Sequence, residues 1–273
     1  MRKRAKLLKF SAVLSLGGML ASGALAQTVL KASHQFPGGK GDIRDEMVQI
    51  IAREAKAANV GLEIQVYPGA SLFKPNDQWN AIVNGQLDIT SFPLDYASGK
   101  VGAFSATLMP GLVRNHERAA RLNSSDFMKD IKAKIDKAGG VVLADAWLAG
   151  AVASKKSCIR KPEDIKGQKV RSAGPTFAAM WQHAGASIVN IPSNEVYNAL
   201  QTGVLDAGIT DVSAAYSRRY YEVQKFGTVT PAFSILSLMS FMNGEALSRW
   251  ARSWLRTSPG ISVALKAPTL PLA

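Results

Sequence analysis

From Thr28 to Tyr67 the chain runs strand pattern, helix pattern, strand pattern, and it resumes the same alternation from about residue 162 to 210. That rhythm restricts it to an α/β fold. "TVLKASHQF" sets Val29 and Lys31 opposite Leu30 and Ala32 before "PGGKGD" breaks the strand. The next segment, about Asp42 to Ala58, carries Ile43, Met47, Ile50, Ile51, Ala55 and Ala58 at helical spacing, with Asp42 placed to cap. "LEIQVY" puts Leu62, Ile64 and Val66 on one strand face, which completes a βαβ unit. The later half reads as strand "QKVRSA", helix "PTFAAMWQHAGA", strand "SIVNIP", helix "SNEVYNALQTG" and strand "VLDAGIT", after a charged helical stretch, Asn115 to Ala138, and the strand "GVVLADAWLA". Two successive α/β lobes fit this order better than one continuous sheet, and a cleft between them is the natural ligand site.

A short phrase occurs twice: "WNAIVNGQLDIT" at 79–90 and "YNALQTGVLDAGIT" at 197–210. In each copy an amphipathic helix ends at a glycine, Gly85 or Gly203, and a strand starts almost at once. The phrase directs Thr90 and Thr210 toward the carboxyl end of a strand, where open α/β sheets bind ligands. Chance recurrence of a common junction explains the echo as well as shared architecture does.

Residues 1–26 read as a cleaved secretory signal: the basic "MRKRAKLLK", the apolar "FSAVLSLGGMLASGAL", and "ALA" before Gln27. Removing them takes away five basic residues and no acid, so the formal charge falls from +13 to +8. Arg249, Arg252, Arg256 and Lys266 supply four more of those charges, in a tail with no acid after Glu245. Residues 27–245 keep only +4, an ordinary surplus for a domain of this size, and a nucleic-acid partner is not expected. Cys158 is the single cysteine, so no internal disulfide forms. At 47% hydrophobic and 19% charged the chain can hold real cores by burial.

No catalytic constellation is present: there is no HExxH, CxxC pair, GxSxG or GxxxxGK[ST]. His34, His116 and His183 lack metal-ligand spacing, so neither a metal nor another cofactor is expected. Arg171 stands out. It ends a strand just before "SAGP", where a rigidly held guanidinium can grip a carboxylate with two parallel hydrogen bonds. A structurally paired arginine is the competing reading.

The run "PEDIKGQKVRSAGPTFAAMWQHAGASIVNIPSNEVYNALQTGVLDAG", with "YYEVQKFGTVTPAF", "VYPGASLF" and "NGQLDIT", resembles the solute-binding proteins of tripartite ATP-independent periplasmic (TRAP) transporters, the DctP-like family. The likeness covers roughly residues 27–243. It implies a two-lobed periplasmic binding protein, type II-like, with a hinged cleft that traps an organic acid and passes it to the membrane permease subunits. The lobes are expected at 27–145, with a return at 230–245, and at 146–229. The resemblance assigns the carboxylate-binding arginine to Arg171. Strand-end position adds His34, Gln35, Phe36, Phe92, Asp95, Tyr96, Thr210 and Asp211 as ligand contacts, each also readable as a turn or packing residue.

Two departures from the family's pattern stand out. Ala151, in "LAGAVASKK", occupies the place of a second basic residue, and residues 246–273 form an atypical basic tail, so that the C-terminal part reads as truncated or altered, supporting at most one helix. The expected molecule is a periplasmic monomer without enzymatic activity. A receptor feeding a sensor kinase and a non-functional fragment are the alternatives.

Overall fold

The computed structural model describes residues 27–39, 41–229 and 235–257. The expected signal segment and the tail beyond 257 lie outside the described residues. The first part of the chain forms β1 (Thr28–His34), α1 (Ile43–Ala57), β2 (Leu62–Tyr67), α2 (Gln78–Val83) and β3 (Ile89–Phe92). After two 3-10 turns, 94–97 and 102–108, come α3 (His116–Asn123), α4 (Asp126–Lys137) and β4 (Gly140–Ser154). The single charged helical stretch expected over 115–138 is thus two helices, the second started by Ser125, whose hydroxyl accepts from the Met128 N–H. The second part forms β5 (Lys169–Ser172), α5 (Pro175–His183), β6 (Ser187–Asn190), α6 (Val196–Gln201), β7 (Ala207–Asp211), α7 (Val212–Ser217) and β8 (Phe226–Val229). The chain then returns through β9 (Ile235–Asn243) into α8 (Gly244–Thr257).

The strands pair in the order β2-β1-β3-β9-β4-β7-β5-β6, with β8 on β4. Parallel βαβ pairing holds β1 between β2 and β3 at one end and β5 between β6 and β7 at the other. The two ends do not form separate sheets. The 15-residue β4 pairs with β9 along most of its length and continues at Gly150–Ser154 onto β7, so two antiparallel strands run from one lobe into the other. Such a crossing can bend without breaking the ladders on either side, which suits a hinge.

Each lobe has its own core. Trp79, Phe92, Phe104, Trp147 and Phe241 fill the first with Ile131 and Ile135 of α4, and Val170, Phe177, Trp181 and Ile209 fill the second.

The echoed phrase is one structure built twice. Gly85 and Gly203 both take a left-handed conformation, φ 69° and 77°. The N–H of Leu87 donates to the Ala81 carbonyl and that of Leu205 to Ala199, both at 3.0 Å. Asp88 Oδ2 accepts from the Lys31 N–H on β1, and Asp206 Oδ2 accepts from the Lys169 N–H on β5, both at 2.9 Å. These equivalences pair Thr90 with Gly208 and Phe92 with Thr210, so the two threonines do not match. Thr90 instead bonds Gln78 and the Ser33 carbonyl inside the first lobe.

Helix α1 corrects an expectation from periodicity. Ile43 and Ile50 are 56% and 45% exposed, whereas Arg44, Asp45 and Val48 are buried. The helix is rotated so that its first-turn side chains face inward, where Arg44 pairs with Asp42 and Asp211 and Asp45 meets the His34 ring. The start of the basic tail forms one helix, α8, and Trp250 on it packs back, its indole N–H donating to the Val60 carbonyl at 3.2 Å. Ala246 of α8 joins the core formed by Leu30, Val48 and Met242.

Candidate functional site

Arg171 sits on β5 and is 2% exposed. Its Nε donates to the Ile191 carbonyl (3.0 Å), Nη1 to the Ile209 carbonyl (2.7 Å) and Nη2 to the Tyr96 hydroxyl (2.9 Å). A guanidinium has five N–H donors, so two are uncommitted. Among the described residues no carboxylate forms an ion pair with it. Carbonyls and a hydroxyl therefore aim the group while leaving its charge unneutralised. Gly208 on the neighbouring β7 packs beside it: a Cβ there would meet the Arg171 Cβ at an ordinary 3.6 Å but crowd Val196 at 3.2 Å.

The guanidinium borders a cavity between the lobes with Gln35, Phe36, Tyr96, Ser193, Thr210 and Asp211, closed by Leu108 and Leu148. Its free space is about 30 Å³, enough for water. The lobes lie nearly shut upon it. Tyr96, from the first lobe, reaches across: besides the Arg171 bond its oxygen accepts from the Ser193 N–H (3.1 Å) and Gln35 Nε2 (3.4 Å). Three donors leave that oxygen no room to accept more, so the Tyr96 O–H is available only to donate.

A second cross-lobe cluster lies along the same cavity. Arg44 donates to Asp42 within its own lobe and to Asp211 of the other at 2.9 Å, and its guanidinium stands 4.6 Å from the Phe36 ring centre. Ser217 donates to Asp42 (2.6 Å), and Arg218 Nη2 to the Gln35 carbonyl (2.7 Å). Burial works against the Arg44 charge, but the Asp211 and Asp42 carboxylates outweigh it and hold its pKa above the usual range. Burial would likewise raise Asp42, yet its hydrogen bonds from Arg44 and Ser217 hold it below the ordinary carboxylate value.

The structure brings together six of the residues singled out from sequence: Gln35, Phe36, Tyr96, Arg171, Thr210 and Asp211 border one cavity. Asp211 is already engaged, by Arg44 and as the cap of α7, where Oδ1 accepts from the Ala214 N–H and the Ser213 hydroxyl. Three lie elsewhere. His34 turns toward α1, with Nε2 3.0 Å from Asp45 and Nδ1 accepting from the Phe36 N–H. An accepting Nδ1 carries no proton, so the ring is the neutral Nε2–H tautomer, in keeping with a pKa lowered mainly by burial. Phe92 is packed in the first-lobe core against Tyr96 and Phe241. Asp95 faces a separate interlobe space of about 280 Å³ on the other side of Tyr96. Sequence reasoning missed Arg44, Ser193 and Arg218. The acidic neighbours in "GDIRDE" were the one available sign that Arg44 pairs rather than faces water. Among the described residues no group of three or more His, Cys, Asp or Glu side chains is arranged to hold a metal ion.

The model of the bacterial extracellular solute-binding protein family 7, DctP, matches residues 46–250. This chain belongs to the DctP family. A solute-binding protein of Albidiferax ferrireducens is 39% identical over 221 residues, spanning 77% of this chain and 65% of that relative. The C4-dicarboxylate-binding periplasmic protein DctP of Rhodobacter capsulatus is 28% identical over 216 residues, 76% of this chain and 63% of its own length. The chain thus spans a little under two thirds of the curated relatives it matches. Among solved structures, a TRAP periplasmic solute-binding protein from Rhodoferax ferrireducens with bound malonate superposes with a TM-score of 0.77 at 34% identity, covering 83% of this chain and 75% of that one. The DctP family is one of solute-binding receptors, not an enzyme class. Its periplasmic binding fold is the two-lobed α/β architecture found here.

Proposed function

We propose that this chain captures a small organic acid in the periplasm and delivers it to the membrane subunits of a TRAP transporter. The observation that carries this reading is Arg171: a buried cation with no acidic partner and two spare N–H groups, bordering a cavity between two hinged lobes. An unpaired buried charge is costly, and a ligand carboxylate gripped by both free donors removes that cost. The malonate in the Rhodoferax structure and the dicarboxylate-binding name of the Rhodobacter relative support an acid as cargo.

One arginine does not suffice. A charged hydrogen bond nets about 1.5–3 kcal/mol, and micromolar affinity needs about 8 kcal/mol. In this reading the Tyr96 O–H and the Thr210 hydroxyl donate to the same carboxylate, Gln35 takes a second polar end, and Phe36 shields one side. Asp211 acts through Arg44, holding the lobes together. His34, Phe92 and Asp95 stand outside the grip. The lobes are taken as 27–145 with a return at 230–245, and 146–229, hinged where β4 and β9 cross.

Mass spectrometry of small molecules released from the denatured, freshly purified protein tests the cargo class. A stoichiometric low-mass carboxylic acid is expected; a neutral sugar or an amine in its place would refute the assignment.

A further inference from the structure

Asp95 lies in the 94–97 turn of the first lobe and is 2% exposed. Neither carboxyl oxygen reaches a hydrogen-bond partner of good geometry. Its side chain is pressed onto the second lobe at Gly174, where a Cβ would fall 1.4 Å from Oδ2. The space beside it is lined by residues of both lobes, including Asn76 and Ser98 from the first and Ser172 and Asn190 from the second. These are uncharged, as is Tyr96 next to it, and among the described residues Arg171 on β5 is the one charged group whose field is felt at the carboxyl. Asp95 is thus sealed only because the lobes are shut, and parting them returns it to water.

With Ser98 as its only hydrogen-bonding influence and, among the described residues, no cation in contact, an ionised carboxylate is costly in such a place. We propose that closing the lobes is coupled to uptake of a proton from solvent by Asp95, so that between the two pKa values the closed form holds one more proton than the open form. Burial raises the Asp95 pKa to about 7, against the lowering pull of Ser98 and of the Arg171 charge. In the open form the group returns to its ordinary value of 3.8. The sign follows: the closed form binds more protons between those two values, so closure weakens as pH rises from about 4 to 7 and changes no further above that. Ligand affinity, which is linked to closure, moves the same way. This linkage rests on the carboxylate-capture reading only for its ligand arm; the pH-dependent closure does not.

The test uses the full mature chain carrying one dye on α4 at Lys137→Cys and one on α5 at Gln182→Cys, with Cys158→Ser, and reads the interlobe distance by energy transfer without ligand from pH 5 to 8. The ratio of closed to open molecules should fall by up to about tenfold per pH unit until near pH 7 and then level off. Asp95→Asn, with Asp95→Ser as a second uncharged replacement, should remove the dependence and hold, across pH 5 to 8, a closed ratio at least as high as the parent protein shows at pH 5. A pH-independent distance in the parent, or variants that titrate as it does, would overturn the proposal. Calorimetry of malonate binding at pH 6 in two buffers of different ionisation enthalpy should add an uptake approaching one proton, absent in Asp95→Asn. If malonate, succinate and other short carboxylic acids all fail to bind at every pH while closure still titrates, carboxylate capture is in error and the proton linkage stands.

Discussion

Arg171 and Arg44 are both buried, but their surroundings ask different things of them. Arg44 is fully answered by Asp42 and Asp211, whereas Arg171 is held by carbonyls and a hydroxyl with its charge left over. Removing them should therefore fail in different ways. Arg171→Ala should weaken binding of a carboxylic acid by about 2–5 kcal/mol, because the ligand's buried charge loses its partner. Arg171→Lys should rescue only part of this, since an ammonium cannot reproduce the fork. Arg44→Ala should instead cost about 3–5 kcal/mol of folding stability in chemical denaturation, as Asp42 and Asp211 are left buried without a cation. Arg171 drew notice as a strand-end residue in "KVRSAG", but position alone left a structural pairing open, and it was the family resemblance that singled it out. Arg44 drew none, because helical periodicity weighs apolar residues and is blind to a first turn that buries charge.

At the scale of elements, the repeated helix–glycine–strand phrase was readable, and its cause is the pair of Asp-to-backbone bonds that lock β3 beside β1 and β7 beside β5. Gly85→Ala and Gly203→Ala should each lower stability by about 1–2 kcal/mol, the cost of a left-handed conformation for a residue with a Cβ, with little change in ligand binding. What the phrase could not convey was which residues face the cavity: the two-residue offset sends Thr210 there and leaves Thr90 in the core. The contact between the 94–97 turn and the start of α5 was equally hidden, since residues 79 positions apart in sequence meet only when the lobes shut. A methyl group at position 174 cannot coexist with Asp95 there. Gly174→Ala should thus hold the lobes apart and weaken acid binding at least about tenfold, or 1.4 kcal/mol, and Asp95→Ala in the same chain should restore it; titration calorimetry on the three proteins checks this.

For the molecule as a whole, the order of elements was readable but the joining of the lobes was not. β4 reads as an ordinary strand in sequence, and its 15-residue run through both lobes emerges only from its pairing with β9. The basic C-terminal segment read as at most one helix with no indicated packing partner, and α8 lies against the first lobe through Ala246 and Trp250. A protein closed by its ligand should gain stability from it: at a hundred times the dissociation constant the gain is about 2.7 kcal/mol, a rise in Tm of roughly 5–10 °C for a chain of this size. The most direct test of the central claim is calorimetric titration of malonate, succinate and other short carboxylic acids into the parent protein and into Arg171→Ala, with folding checked by circular dichroism. Saturable binding of at least one acid by the parent at micromolar or lower concentration, weakened roughly 30-fold or more in the folded variant, is the expected result. Binding of no acid by the parent, or equal affinity in the two proteins, would contradict it.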